Sequence, residues 1–156
     1  MDFTVKEQLA RLNGLYKEQG DIYHSYAVDI GISETSFWIL YYMVIFNKTV
    51  TQQEFCSEWH YPKQTVNSAV NGLIKNGFVI LEPVCSEGGR KKFLKLTEKG
   101  EEFCRFKILP LIHAEEQSLL QMGEEKRELL LTLMKQQNEK LKQLLEKAKT
   151  EIFFGG

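Results

Sequence analysis

A chain of 156 residues, 43% hydrophobic and 26% charged, has the size and composition of one ordinary globular domain and enough apolar material for a core. Its net charge of −1 gives no global sign of a nucleic-acid partner. Three widely spaced cysteines (Cys56, Cys85, Cys104) argue against a disulfide framework, the N-terminus lacks a signal-peptide pattern, and the longest apolar stretch, Phe37 to Phe46, is too short to span a membrane, which together suit a reducing cytoplasm.

Leu9, Leu12, Leu15, Tyr16, Ile22, Tyr23, Tyr26, Ala27 and Ile30 recur at spacings of three and four and predict a helix over about 5–30, weakened by Gly14 and Gly20 and stopped by Gly31. Ser33 is the expected cap of a second helix, 34–46, which is apolar nearly all round and so belongs at the centre of the protein. Thr51, with Glu54 three residues on, has the form of a capping box and opens a short helix to Trp59. Pro62 is placed to take the first position of a fourth helix, ended by Gly77, with Val66, Ala69, Val70, Leu73 and Ile74 as its buried stripe.

Phe78–Glu82 reads as a strand, 86–90 as a glycine-tolerant turn and Lys91–Leu96 as the return strand of a β-hairpin. Thr97 caps a helix to about Gln121 that should kink at Pro110, and Gly123 separates it from a last amphipathic helix striped by Leu130, Met134, Leu141, Leu144 or Leu145, Ala148 and Ile152. A long amphipathic helix at a chain end commonly pairs with another chain. The expected fold is mainly α with a small β-hairpin wing, divided into 1–32 for dimerisation, 33–100 as a winged helix-turn-helix and 101–156 for dimerisation again.

Two short helices followed by a basic hairpin carry the functional reading. The second helix of such a pair enters the major groove. Its exposed face holds Lys63, Gln64, Thr65, Asn67, Ser68 and Asn71; Gln and Asn can pair in bidentate fashion with adenine, and Lys63 can reach phosphate. On the wing, Arg90, Lys91 and Lys92 are offered to the backbone or the minor groove. Charge agrees locally: residues 48–100 hold eight basic and five acidic side chains, whereas each flanking segment is acidic on balance.

Lys63-Gln64-Thr65-Val66-Asn67, then Leu73-Ile74-Lys75-Asn76-Gly77-Phe78-Val79, resembles the recognition helix and first wing strand of the MarR family of bacterial regulators. Arg90 to Leu94 and Leu96-Thr97-Glu98-Lys99-Gly100 is similar to that family's wing ending. The resemblance implies a homodimer with interlocked terminal helices, a palindromic DNA site, and repression relieved by a small, often aromatic, ligand or by oxidation. One departure concerns the wing: the family commonly carries an aspartate two residues before the wing arginine, where this chain has Gly88 beside Glu87. A winged-helix protein-interaction module without DNA binding is the rival reading, and a thiol-based redox-sensing regulator another.

Tyr23, Tyr26, Trp38, Tyr41 and Tyr42 are candidates to line an effector pocket, since a buried tyrosine needs a partner for its hydroxyl. Cys85, near the wing, is the candidate redox thiol. His24, His60 and His113 are scattered without ligand spacing, so neither a metal nor another cofactor is expected. No phosphate loop, HExxH or nucleophile elbow suggests an enzyme.

Overall fold

The computed structural model describes residues 4–86 and 89–154, with the side chains of 84–90, 150, 151, 153 and 154 outside that description. Among the described residues seven helices and three strands follow one another: α1 Val5–Asp29, α2 Glu34–Ile45, β1 Val50–Thr51, α3 Gln52–Trp59, α4 Lys63–Lys75, β2 Val79–Ser86, β3 Gly89–Leu96, α5 Glu98–Phe103, α6 Leu109–Met122 and α7 Glu124–Phe154. A π-helical turn, Cys104–Ile108, joins α5 to α6. The chain forms two compact units, Met1–Ile112 and His113–Gly156.

In the first unit α2 is the central helix, as its all-round apolarity requires. Phe37, Ile39, Leu40 and Tyr42 are fully buried and meet Val50, Phe55, Val66, Val70, Leu73, Val79 and Leu94 in one core. The predicted stops and starts are present. Gly31 takes a left-handed φ of 79° after α1, and the Ser33 hydroxyl accepts from the Ser36 amide. After α2 the chain turns at Asn47, φ 45°.

Three local expectations change. Pro62 is the N-cap of α4, extended at ψ 137°, and the helix begins one residue later at Lys63. Ile74 is 37% exposed, so the buried stripe of α4 ends at Leu73. The strands are longer than their apolar cores, pairing from Val79↔Leu96 out to Ser86↔Gly89, and β1 adds a third strand, giving the antiparallel order β1-β3-β2. A two-residue strand carries no periodicity of its own; it forms because Val50 and Thr51 lie beside Leu94 and Phe93.

The irregularity expected at Pro110 falls just before it. Proline has no amide hydrogen and its ring clashes with the carbonyl four residues back. The π turn widens the helix there, with the Leu109 amide bonding to the Cys104 carbonyl five residues back. In the second unit Gly123, at φ 82°, breaks the helix between α6 and α7, and Arg127 donates to the Leu119 carbonyl at 3.3 Å. No described residue of this unit is buried.

Candidate nucleic-acid interface

The helix-turn-helix is α3, a three-residue turn and α4. Thr51 and Glu54 form the capping box: the Glu54 amide donates to Thr51 Oγ1 at 3.1 Å and the Thr51 amide donates to Glu54 Oε2 at 2.8 Å. The Thr51 amide, and after it the Thr51 hydroxyl that donates to the same carboxylate at 3.0 Å, hold the Glu54 carboxyl below the usual carboxylate range. α3 is locked to α2 at its other end. The buried Tyr42 hydroxyl donates to Glu58, whose second oxygen lies 3.9 Å from Lys48 Nζ. His60, left-handed at φ 57°, then reverses the chain so that α4 packs across α2 and α3.

Val66, Val70 and Leu73 anchor α4, each worth about 1.5–3 kcal/mol on burial. That anchoring turns Lys63, Gln64, Thr65, Asn67, Ser68 and Asn71 outward, and all six are exposed. The exposed face divides in two. Gln64, Thr65 and Ser68 border a groove whose opposite wall is the α1–α2 corner at Ile32 to Thr35, while Lys63, Asn67 and Asn71 stand outside it.

The start of α4 also differs from the starts of α1, α2, α3 and α5. Each of those has a Ser or Thr side-chain cap and an acidic residue in its first turn; α4 has neither. Its first amides and Lys63 therefore face solvent without an internal anion.

The wing meets this surface at its base. Lys91 and Lys92 are exposed and share a cleft with Thr51, Gln52 and Gln53 at the start of α3. Lys95 pairs with Glu82 across the strands at 3.4 Å. The backbones of Arg90 and Cys85 are partners in register, but both side chains, and Glu87 and Gly88 entirely, lie outside the described residues.

The aromatic candidates pack mainly on one another. Tyr23 meets Trp38 at 4.7 Å between ring centres, Trp38 meets Tyr41 at 5.3 Å and Trp59 at 5.2 Å, and Tyr42 lies edge-on to Phe55 and Trp59. Tyr26 borders a shallow groove along α1, yet its hydroxyl donates to the Lys107 carbonyl in the π turn at 2.7 Å. Sequence gave no sign of that bond, because 81 residues separate its partners.

Of the two cysteines whose side chains are described, Cys104 is buried, and desolvation followed by the Glu101 charge pushes its thiol up to about 12, which makes it a poor thiolate donor. Cys56 is half-buried. Among the described residues no cluster of three His, Cys, Asp or Glu is placed to hold a metal ion, and no single helix is long and apolar enough to cross a membrane.

The MarR family model matches residues 30–90, from the last residue before the α1–α2 corner to the wing. Residues 30–90 belong to the MarR family. No curated protein sequence matches the chain. Among solved structures, the fold is similar to that of a MarR family regulator from Neisseria meningitidis (TM-score 0.64, 22% identity, 92% of this chain and 97% of that one). It is also similar to a MarR family transcriptional regulator from Listeria monocytogenes complexed with 26mer DNA (0.67, 18%, 96% of each). A third similar structure is Staphylococcus aureus MarR in complex with salicylate and kanamycin (0.65, 19%, 88% and 92%). The MarR-like arrangement therefore extends over nearly the whole chain: the mainly helical fold and the small antiparallel wing are those of MarR winged-helix regulators.

Proposed function

We propose that this chain is a sequence-specific DNA-binding transcriptional regulator, a homodimeric repressor of a palindromic operator. The observation that carries the reading is the exposed amide-and-hydroxyl face of α4, set between a capped α3 and a lysine-bearing wing strand. Gln64, Thr65, Asn67, Ser68 and Asn71 read base edges from the major groove. Lys63 and the uncapped start of α4 take a phosphate, and Lys91 and Lys92, with Arg90 beyond them, follow the backbone toward the minor groove. The Listeria monocytogenes relative, solved with DNA, supports DNA as the partner.

In this reading 33–100 binds DNA, and 1–32 with 101–156 join two copies. Each unit leaves large apolar side chains in water for a second copy to cover: Leu9, Leu15 and Ile22 on α1, and Leu131, Leu141 and Leu144 on α7. A cytoplasmic location goes with it. The salicylate held by the Staphylococcus aureus relative extends the reading to relief by a small aromatic ligand.

Selection of bound fragments from the source genome, followed by sequencing, tests the proposal. A palindromic motif enriched over random fragments is the expected result. Binding to all fragments alike overturns the sequence specificity, and binding to none at moderate salt overturns the reading and favours a winged-helix module that binds protein.

A further inference from the structure

The far end of α4 is held by the segment that leaves the wing. There the Gly77 and Phe78 amides bond back to the Ile74 and Leu73 carbonyls, each at 2.9 Å, around Gly77 at φ 72°. Residues 97–100 close on this turn from several directions. Thr97 Oγ1 donates to the Gly77 carbonyl at 2.6 Å, and the Thr97 amide donates to the Phe78 carbonyl at 3.1 Å. Lys99 Nζ donates to the Asn76 carbonyl at 2.7 Å and stands 5.2 Å from the centre of the Phe78 ring. Its alkyl chain crosses Gly77, where an added Cβ would lie 3.8 Å from Lys99 Cδ.

The Asn76 carbonyl belongs to the last turn of α4, where helix carbonyls have no partner within the helix. An ammonium there satisfies that acceptor and stands at the negative end of the helix dipole. It also gains from the ring face beneath it. Lys99 lies in the first turn of α5, whose π-helical continuation accepts the Tyr26 hydroxyl of α1 at Lys107. The end of α4 is thus fastened to the helix to which α1 is fastened.

We propose that Lys99 is a positioning residue for DNA recognition: it clamps the C-terminal end of α4 to the start of α5 and so sets the angle at which Asn67 and Asn71 meet the bases. The proposal rests on the DNA-binding reading above. Base readout depends on that angle because a bidentate contact tolerates little rotation, whereas phosphate contacts on a flexible lysine tolerate much. Loss of the clamp therefore costs specificity and spares non-specific affinity.

The test compares the full-length protein with Lys99→Met and Lys99→Arg, using fluorescence anisotropy on operator and on random duplex over a range of salt. Lys99→Met is expected to weaken operator binding about tenfold, to leave random-duplex binding within about twofold, and to keep the salt slope, while Lys99→Arg restores operator binding. A shallower slope with equal loss on both duplexes makes Lys99 a phosphate contact and overturns the proposal, as does wild-type operator affinity in Lys99→Met. Amide hydrogen exchange in the absence of DNA separates the clamp from the reading it rests on. Faster exchange at Gly77 and Phe78 in Lys99→Met supports the clamp, and unchanged exchange there overturns it. Failure of the wild-type protein to bind any operator sinks the DNA reading instead.

Discussion

Asn67 is exposed at the middle of α4, between the buried Val66 and the exposed Ser68, and outside the groove that Gln64, Thr65 and Ser68 border. Its carboxamide can donate and accept at once, which a base edge requires and a phosphate does not. Asn67→Ala should weaken operator binding by about 1–3 kcal/mol and change random-duplex binding little. Equal losses on the two duplexes, measured by anisotropy, would remove Asn67 from base readout. Lys91 supplies the contrast. Placed with Lys92 over the start of α3, it offers charge without sequence information. Lys91→Ala should weaken binding to every sequence and make the log–log salt slope shallower by about one. A slope equal to that of the wild type would place Lys91 away from the phosphates.

At the scale of elements, glycines and caps decide how α3 and α4 are presented. A Cβ at Gly100 would fall 1.9 Å from the Phe78 carbonyl oxygen, and backbone cannot yield as a side-chain tip can. Gly100→Ala should therefore cost about 3 kcal/mol or more, read as a lowered denaturant midpoint. Gly72, within α4, has open space around a Cβ and no left-handed φ, so Gly72→Ala should instead stabilise by about 0.4–1 kcal/mol. If Gly100→Ala proved as mild as Gly72→Ala, the close approach of α5 to the α4 turn would be wrong. The capping box adds a pH signature. The folded-state pKa of Glu54 is depressed, so its contribution is full above the usual carboxylate range and is lost as pH falls through the depressed value. The wild type should be more stable than Glu54→Gln near neutral pH, and the gap should close as pH falls below the usual carboxylate range. A gap that stays constant across that range would mean that the charge plays no part in the cap. Caps of this kind, and helix periodicity, are local, which is why α1 to α4 and the strands were legible from sequence within a residue or a few. β1, the Tyr26–Lys107 bond and the grip of residues 97–100 on the α4 turn were not, since each joins positions far apart in sequence. The candidate site divides in the same way: the face of α4 follows from periodicity, whereas the packing of Tyr23, Trp38 and Tyr41 into a ring cluster depends on Trp59 from another helix.

For the whole molecule, the distribution of apolar surface points beyond a single copy. The first unit buries a continuous core, whereas none of the described side chains of the 31-residue α7 is buried. Leu141, Leu144 and Leu145 are 47%, 62% and 50% exposed and stand within about one helical turn, a density of leucine that a solvated helix has no reason to carry. Covering a leucine contributes up to about 1.5–3 kcal/mol, so a few such residues on each copy can offset the entropy of association. The palindromic operator proposed above would need the same symmetry, since half-sites about 34–36 Å apart would have to be read by two α4 helices held at a fixed spacing. Leu141→Glu combined with Leu145→Glu would place four carboxylates in the joint of a symmetric pair, two from each copy. The double variant should sediment at the monomer mass, near the 18.2 kDa of one chain, while the wild type sediments at twice that value. Its operator binding should fall to the level of its random-duplex binding, because one α4 then reads one half-site without the other. The core of the first unit lies in a separate compact unit, so the thermal unfolding of that core should persist in the variant. A double variant that still sediments as a dimer would show that α7 does not form the joint, and a wild-type protein of monomer mass at micromolar concentration would remove the dimer from the proposal.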